Sequence, residues 1–402
     1  MTENFIGSFT QQEPIPADAI AAANAVMQHG RLHRYNTVDG EIAETALLEE
    51  EFAAYTGAKY CLAVASGGYA MTTALRASGV QHGDKVLTNA FTLAPVPGAI
   101  AAVGGLPIYV GVTEDLVIDL DDLAAKLDQS KVLLLSHMRG HICDMDRLMA
   151  MCNNAGVTVI EDCAHTMGAA WDGVPSGRWG RFGCYSTQTY KHINSGEGGL
   201  LICDGAEDMA RAIMLSGSYM LFEKHRAAPP PETFAQIKYE TPNISGRMDN
   251  LRAAILRPQL RDLATQATRW NERYQVLEDQ LSDVPGLTLP NRPAKEQFVA
   301  SSFQFLLLDW GAEATETLMN RCSARGVELK WFGRAEPAGF TSRYDSWRYA
   351  PSEPMPASDR VLAGIVDMRL PLTFSLEDCA LIARIIRDEV SIVYQGMMAA
   401  TA

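Results

Sequence analysis

Apolar residues along the chain follow two spacings, one typical of helices and one typical of buried strands. Helical spacing occupies residues 16–29 and 46–56. From residue 60 onward, amphipathic helical runs separate short apolar runs, which are YCLAVA, KVLTNAF, LPIYVGV, KVLLLSH, VTVIED, RFGCYS and GLLICD. Near-continuous apolar strands with helices between them predict an α/β fold with a mainly parallel sheet covered on both faces.

The pattern changes at Arg247 to one long helical run that ends near Ser282. Pro258 lies inside this run and is expected to kink or split the helix. Beyond it, SSFQFLLLD and VELKW predict strands that alternate with helical runs. We therefore expect a large domain in residues 1–250, and the long helix with a small α+β unit in residues 251–402. The segment RAAPPPET, residues 226–233, predicts an exposed loop.

Composition narrows the class of protein. The formal net charge of −14 argues against a nucleic-acid or anionic-membrane surface and favours a local pocket for a small ligand. The polar start MTENFIGSFTQQ predicts no signal peptide. Prolines and glycines interrupt the uncharged stretch 86–113, which therefore reads as strand, helix and strand rather than a membrane span.

Cysteine spacing bears on the compartment and on metal binding. Eight cysteines are scattered along the chain without a C-x-x-C pair. Such scatter suits reduced, buried thiols in the cytoplasm better than a disulfide framework or a zinc site. We therefore expect a cytoplasmic protein without a metal site.

Four polar signals fall where predicted strands end, which is where open α/β sheets bind ligands. They are the Ser66-Gly67-Gly68 turn, the pair Glu161-Asp162 with His165, Ser186 with Lys191, and the turn GEGG at 196–199. A turn that opens a helix can hold a phosphate on free N–H groups. A lysine among buried strands is almost never fully buried unless another group holds it.

Each signal also has an ordinary structural interpretation. The glycine turn can be a tight turn, Asp162 can cap a helix near a hydrogen-bonded His165, and Lys191 can lie in a solvated loop. No G-x-G-x-x-G follows any predicted strand, which disfavours a nicotinamide-dependent dehydrogenase. The order of the signals along the chain is more specific than any one of them.

In that order, the glycine turn, strand–Asp–x–x–His, Ser–x4–Lys and SGEGG closely resemble the pyridoxal-phosphate aminotransferases of the DegT/DnrJ/EryC1/StrS family. The match includes EDCAHTMGA, CYSTQTYKHINSGEGGLLICD and GRMDNLRAAILRPQL. The resemblance implies the aspartate-aminotransferase-like fold, called fold type I. It also implies pyridoxal 5′-phosphate, with its amine form, as cofactor. The implied reaction moves an amino group from glutamate or glutamine to a keto-sugar, nucleotide keto-sugar or keto-cyclitol, in amino-sugar, surface-polysaccharide or secondary-metabolite biosynthesis.

The resemblance also implies roles for individual residues. Lys191 would bond to the cofactor aldehyde and move the substrate proton, because a desolvated amine can be neutral and nucleophilic. Asp162 would pair with the protonated pyridine nitrogen. The remaining implied contacts are His165 with the ring or its 3′ oxygen, and Ser186, Gly67 and Gly68 with the phosphate.

Three positions depart from the family pattern. Gly68 stands where a threonine is usual, and Leu93 stands where an aromatic ring often stacks on the cofactor. Phe91, two residues earlier, is expected to take over the stacking, and the alternative is that the stacking is lost. The family works as a homodimer with shared active sites, in which an asparagine reaches the partner's phosphate. Here Ser245 has that position, and we expect the displaced Asn243 to do this.

The substrate side is expected to include four further residues. Arg31 and Tyr35 lie in GRLHRYN, and Trp331 and Arg334 lie in KWFGRAEPAGF. An arginine fork suits a donor carboxylate or a sugar phosphate. The alternative is that these arginines are ion-paired or solvated at the surface.

Rival functions stay open at this point. A dehydratase of the same fold would have a histidine in place of Lys191, so the lysine disfavours it. A cofactor-binding regulator without turnover is disfavoured by the joint presence of Lys191, Asp162 and Ser186. An aminotransferase acting on a non-sugar ketone or aldehyde is a further alternative.

Overall fold

The structure is a computed structural model that describes residues 3–401. In chain order, its α-helices α1 to α12 are Ala17–His29, Glu44–Thr56, Gly67–Ala77, Pro95–Ala102, Leu120–Lys126, Met145–Ala155, Ala206–Leu215, Phe234–Glu240, Asn250–Leu281, Ala312–Ala324, Pro356–Gly364 and Leu376–Thr401. Its strands β1 to β13 are Tyr60–Val64, Lys85–Asn89, Leu106–Val110, Val132–Ser136, Thr158–Asp162, Ala170–Trp171, Val174–Pro175, Phe182–Ser186, Gly199–Cys203, Glu296–Gln297, Ser302–Leu306, Lys330–Trp331 and Ile365–Arg369.

The large sheet has seven strands in the order β1-β9-β8-β5-β4-β2-β3. Five neighbouring strands from β8 to β3 are parallel, and β9 runs antiparallel to both of its neighbours. Strands β4, β8 and β9 are buried along their whole length, as expected for a sheet covered on both faces. The α/β expectation is confirmed.

Because β9 runs antiparallel to β1 and β8, its first residue lies beside the last residues of these two strands at one edge of the sheet. Gly199 begins β9 and pairs with both Val64 and Ser186, the last residues of β1 and β8. The carboxyl ends of β1, β8, β5 and β4 therefore lie at the same edge. The turns that follow these strands, including the one that carries Lys191, lie there too.

A second, antiparallel sheet lies in the C-terminal part, in the order β11-β13-β12. Helix α9 packs against α1, α2 and α12 and so joins this part to the rest of the chain. Of the two expectations for Pro258, a kink or a split, the split of α9 is wrong, because the helix is continuous for 32 residues. The Gln259 side chain donates to the Ile255 and Asn194 carbonyl oxygens, each at 2.8 Å, and supports the helix beside the proline.

The segment 226–233 is exposed at Arg226 and at residues 230–232, as predicted, but it is also anchored to the interior. Ala227 is buried, and its carbonyl oxygen accepts a hydrogen bond from the Cys61 N–H at 3.1 Å. On either side of the segment, the rings of Phe222 and Phe234 stack with centroids 4.1 Å apart. Aromatic side chains bury large apolar areas, so these rings anchor the segment to the interior.

Two expectations from composition can be compared with the structure. Each of the eight cysteines is buried with a free thiol. In the described range 3–401, no helix is both long and apolar enough to cross a bilayer. The stretch 86–113 forms β2, α4 and β3, as predicted.

Candidate active site

A cavity of about 150 Å³ lies at the carboxyl edge of the large sheet. Its wall includes His165 and Lys191, which follow β5 and β8 in the chain. The wall also includes Ser302 and Arg369 from the second sheet, and Phe9 with residues 12–16 of the N-terminal segment. Together with α9 and Phe340, these distant parts of the chain enclose the space.

The Lys191 loop is shaped by the glycine turn that follows it. Thr187 N–H donates to the Gly198 carbonyl oxygen at 2.9 Å, and Ser195 N–H donates back to the Thr187 carbonyl oxygen at 3.0 Å. Gly198 has a φ of 149°, and a Cβ there would lie 2.3 Å from Thr187 Oγ1. Only glycine fits such a position, so the GEGG turn holds the loop closed.

The Lys191 amine is close to an imidazole and to two guanidinium groups. Its Nζ lies 2.8 Å from His165 Nε2. Burial and the positive charges of Arg139 and Arg369 lower the pKa of Lys191 to about 7, although Asp162 acts in the opposite direction. A large share of this amine is therefore neutral near neutral pH, as a nucleophile or proton acceptor must be.

His165 is held in one tautomer. Burial, followed by Lys191 and Arg139, places the pKa of His165 well below its ordinary value, so the ring is neutral. The Arg139 backbone N–H points to His165 Nδ1 at 3.4 Å, which makes Nδ1 the acceptor. The ring proton then lies on Nε2, and Nε2–H donates to the neutral Lys191 amine.

Asp162 ends β5 and points to the same edge. Its Oδ2 accepts from Ser136 Oγ at 2.9 Å, and its Oδ1 accepts from the Ala164 N–H at 3.1 Å. Burial raises the pKa of Asp162, and these two hydrogen bonds oppose part of the rise. A buried carboxylate held in this way is suited to a cationic ligand group.

Glu161 is the other carboxylate at this strand end, and its bonds are all structural. It accepts three backbone N–H groups from the turn 177–180 at 2.7–2.8 Å and lies 3.0 Å from His137 Nε2. With Cys163 these two residues form a compact buried cluster. Since successive residues of a strand face opposite sides, Glu161 supports the fold and Asp162 is the candidate site carboxylate.

The glycine turn and Ser186 form a cradle. Ser66 Oγ accepts the Tyr69 N–H at 3.1 Å and caps α3. The N–H groups of Gly67 and Gly68 are then the first two donors of the helix, without partners inside it. A Cβ on Gly67 would lie 2.8 Å from Ser186 Cβ, so glycine permits this close approach. A hydroxyl beside a helix N-terminus can hold an anion such as a phosphate.

These groups can be compared with known proteins. The sequence profile of the DegT/DnrJ/EryC1/StrS aminotransferase family matches residues 14–387. The chain belongs to this family. Its membership confirms the resemblance predicted from the motifs around Asp162 and Lys191.

Individual relatives are more distant. Spore coat polysaccharide biosynthesis protein SpsC of Bacillus subtilis is 31% identical over 250 residues, which are 60% of this chain and 62% of that protein. L-glutamine:2-deoxy-scyllo-inosose aminotransferase of Streptomyces lividus is 29% identical over 271 residues, which are 65% of this chain and 63% of that protein. The alignments thus span less than two thirds of these relatives' own lengths.

A solved structure establishes the fold. The crystal structure of 3-amino-5-hydroxybenzoic acid synthase superposes with a TM-score of 0.82 at 23% identity. The superposition covers 97% of this chain and 100% of that chain. It confirms the fold-type-I architecture predicted for this member of the DegT/DnrJ/EryC1/StrS family.

The catalytic and phosphate-binding residues predicted for this family member come together. An amine, a carboxylate and an anion cradle lie at one sheet edge, in Lys191, Asp162 and the Gly67–Ser186 approach. Pyridoxal phosphate has an aldehyde, a basic ring nitrogen and a phosphate. The residues present therefore fit this cofactor, group for group.

Of the predicted cofactor contacts, His165 and Lys191 line the cavity. Asp162, Ser186, Gly67 and Gly68 lie at the same sheet edge but are not part of the cavity lining, and two further residues, Phe91 and Asn243, have other contacts. Phe91 is 1% exposed, and its ring packs edge-to-face on Phe332 at 5.2 Å, whereas Leu93 lines the cavity. Asn243 Oδ1 accepts from the Tyr219 N–H at 3.4 Å, and Ser245 Oγ accepts from an arginine. Both lie in an exposed segment, so any role toward a cofactor requires a second subunit.

The four predicted substrate residues also lie away from the cavity wall. Arg31 forms a bidentate ion pair with Glu41, and Arg334 pairs with Glu316 at 2.9 Å. The Tyr35 hydroxyl bonds to an imidazole, and Trp331 Nε1–H donates to a backbone carbonyl oxygen at 2.7 Å. In this conformation their polar groups are used within the chain.

The structure adds cavity residues that sequence reasoning missed. Arg139 follows β4 at the same sheet edge, with a φ of 57° and an ion pair to Asp367 at 2.8 Å. Its position after a predicted strand was an available signal. Arg369, His192, Phe9 and residues 12–16 also line the cavity. Their approach depends on contacts across the whole chain, and no local pattern marked them.

Proposed function

We propose that the chain is a pyridoxal-phosphate-dependent aminotransferase. It takes an amino group from an amino-acid donor, glutamate or glutamine, and gives it to a keto-sugar or keto-cyclitol. The observation that carries the proposal is the partly buried Lys191 amine, bonded to His165 at 2.8 Å and held with a pKa of about 7. The names of the two curated relatives, one for polysaccharide biosynthesis and one for a cyclitol aminotransferase, support the acceptor class.

Each site residue then has a role in the proposed reaction. Pyridoxal phosphate, when bound, supplies an aldehyde that takes up the amino group and a ring that withdraws electrons from the substrate carbon. Asp162 keeps the ring nitrogen protonated through its buried carboxylate. Lys191 carries the proton to and from the substrate carbon, and the Nε2–H of His165 orients its lone pair. Ser186 and the start of α3 hold the phosphate.

Reductive trapping tests the cofactor role of Lys191. After borohydride treatment of the protein with pyridoxal phosphate, peptide mass spectrometry should find the added mass on Lys191. The Lys191→Ala variant should carry no such mass while keeping the wild-type circular dichroism. The added mass on Lys224 or Lys238 instead would contradict the assignment.

Turnover tests Asp162. Asp162→Asn keeps the size of the side chain but removes the charge that holds the ring nitrogen protonated. We expect a loss of at least about 100-fold in kcat, since electrostatic groups in active sites contribute on this scale. Screening keto-sugar and keto-cyclitol acceptors with glutamate and glutamine defines the substrates. Normal kcat in Asp162→Asn with bound cofactor would refute the role.

We propose further that two copies form a homodimer with shared active sites. Large apolar side chains are exposed in the segment 219–244, among them Tyr219, Met220 and Tyr239 at 54–78%. Lys224 Nζ donates to the Tyr35 carbonyl oxygen at 2.8 Å, which joins this segment to residues 31–42. That region exposes further apolar side chains. Such contiguous surface supports a protein interface.

Hybrid dimers test the sharing of sites. Lys191→Ala and Asn243→Ala subunits each lose one half of a shared site, so mixing them should restore activity above either parent. Subunit exchange is verified with differently tagged chains. Full exchange without recovery would exclude a role of Asn243 across the interface, and an active monomer in light scattering would exclude the dimer.

Two further features complete the proposal. The chain divides into a large cofactor-binding domain, residues 1–250, and a smaller unit with the long helix, residues 251–402. The position of the second sheet within residues 302–369 supports this division. The protein acts in the cytoplasm, and its eight free, buried thiols support a reducing compartment.

A further inference from the structure

A buried pair of polar side chains lies on the face of the second sheet. Gln304 on β11 and Asp367 on β13 are directly paired residues of neighbouring strands, and both are buried. The Gln304 amide nitrogen donates to Asp367 Oδ1 at 2.7 Å and to Ser302 Oγ at 2.8 Å. Directly opposite residues of an antiparallel pair share one face of the sheet, so the two side chains form one hydrogen-bonded unit.

This pair contacts the turn that follows β4 at two points. Arg139 forms an ion pair with Asp367 at 2.8 Å, and His141 Nε2 lies 2.9 Å from Gln304 Oε1. Since the Gln304 amide nitrogen is directed to a carboxylate, its oxygen accepts from the His141 Nε2–H. Gly140 lies between the two contacts. The turn is therefore fixed to the second sheet on both sides of Gly140.

The backbone of this turn is strained, which is why its support matters. Arg139 has a φ of 57°, and Gly140 has a φ of 83°. Glycine adopts this region readily, whereas an arginine rarely does. Such conformations persist where surrounding contacts hold them, and they are concentrated at functional sites. The ion pair with the buried Asp367 is a contact of this kind.

The strained residue also faces the Lys191 amine through its backbone. The Arg139 N–H points to His165 Nδ1 at 3.4 Å, and His165 Nε2 lies 2.8 Å from Lys191 Nζ. A proton on Nδ1 would place two N–H groups against each other, so the ring proton is on Nε2. The position of the Arg139 N–H thus selects the tautomer in which His165 donates to the neutral amine.

We propose that Gln304 and Asp367 are positioning residues of the active site. They hold the turn so that the Arg139 N–H keeps His165 in the tautomer that donates to Lys191. In the described range 3–401, neither side chain of the pair is part of the cavity wall, so both act through the turn. The consequence for turnover rests on the proposed aminotransferase function, in which His165 orients the amine that moves the proton.

Nitrogen chemical shifts of the His165 ring test the positioning directly. In protein with isotope-labelled histidine they distinguish a protonated from an unprotonated ring nitrogen, and His165→Gln identifies the signals. Wild-type Nδ1 should be unprotonated with and without pyridoxal phosphate. Asp367→Asn keeps the size of the side chain but removes its charge, and the two tautomers should become mixed. An unchanged tautomer in this variant would overturn the proposal.

Gln304→Met is a second variant, because Asp367→Asn leaves the buried Arg139 without its counter-charge and destabilises the protein. Methionine has a similar length and removes the amide bonds to Asp367 and to His141 while the ion pair stays. The tautomers of His165 should be mixed in this variant too. A folded Gln304→Met protein with the wild-type tautomer would contradict the role of Gln304.

Asp309→Asn is the matched control. Asp309 is an exposed carboxylate of the C-terminal part and pairs with Arg360 at 2.7 Å, away from the cavity. Its loss should leave the His165 ring signals unchanged. Thermal unfolding verifies that each variant is folded. Equal mixing of tautomers in Asp309→Asn would show that the effect is not specific to the buried pair, and would overturn the proposal.

The pKa of Lys191 separates positioning from a direct effect of charge. In cofactor-free protein, loss of the His165 donor removes a hydrogen bond to the neutral amine, so the pKa of Lys191 should rise by about one pH unit in Asp367→Asn. Removal of the Asp367 charge alone would lower this pKa, since a nearby negative charge favours the ammonium form. A lowered or unchanged pKa, measured by arylation of the amine, would overturn the positioning role.

Kinetics then connect the positioning to the reaction. In Asp367→Asn and Gln304→Met, kcat should fall about 10- to 100-fold with a smaller change in KM, because small misplacements of catalytic groups cost rate on this scale. A rise in KM with normal kcat would overturn the positioning role in turnover. If no donor and acceptor pair reacts with the wild type, the proposed function fails, and the His165 tautomers alone decide the inference.

Discussion

The pKa of Lys191 can be measured from the rate at which its amine is arylated as the pH is raised. With a pKa of about 7, this amine has a much larger neutral share near neutrality than an exposed lysine. At pH 8, such an amine is about 90% neutral, whereas a lysine with the ordinary pKa of 10.4 is about 0.4% neutral. The neutral share therefore differs about 200-fold between Lys191 and an exposed lysine.

Two variants should move the midpoint of the curve of arylation rate against pH in opposite directions. Arg369→Gln removes a positive charge that lowers the pKa of Lys191, so the midpoint should rise. Asp162→Asn removes a negative charge that raises it, so the midpoint should fall. Arg139 is less suitable as a target because its loss would leave Asp367 buried without its ion pair.

The assay uses cofactor-free protein and pulses of fluorodinitrobenzene across pH 5–11. Peptide mass spectrometry follows the Lys191 peptide, and surface lysines in the same digest provide the internal reference. A wild-type midpoint near 10 would refute the burial argument. A shift of both variants in the same direction would refute the assignment of the charges.

Two other comparisons use neighbouring residues as controls. Gly67→Ala should weaken pyridoxal-phosphate binding, because its Cβ would lie 2.8 Å from Ser186 Cβ, whereas a Cβ on Gly68 meets only Ser66 Oγ at 3.8 Å. Fluorescence titration of both variants measures the difference, and equal affinities would contradict the cradle. Glu49→Gln should lower the free energy of unfolding in urea by about 3–5 kcal/mol, since it removes one partner of a fully buried ion pair. Glu50→Gln changes an exposed pair and should be close to wild type, and similar losses in both would refute the distinction.

Much of the candidate site could be predicted from local sequence. Asp162 and Ser186 are the last residues of apolar strands, and Lys191 follows five residues after Ser186. Parallel strands bring their carboxyl ends to one edge, so residues at these positions meet without further information. The family motifs then distinguished Lys191 from a solvated loop lysine.

Other features depend on how distant parts of the chain pack together, which local patterns do not show. Pro258 remains inside α9 because the helix packs along much of its length, and packing offsets one missing hydrogen bond. The proline-rich segment 226–233 is anchored by the stacked rings of Phe222 and Phe234. Composition alone indicated polarity there, and it could not indicate which apolar neighbours were available.

The sequence by itself determined the alternation of strands and helices and the chemistry at the strand ends. Both depend on short-range periodicity and on a few adjacent residues. The tertiary structure decided what surrounds Lys191. Arg139 and Arg369 are separated by more than 200 positions in the chain, yet both lower the pKa of the same amine. Burial and Coulomb interactions act through space, so the charge around Lys191 appears only once the two sheets are packed together.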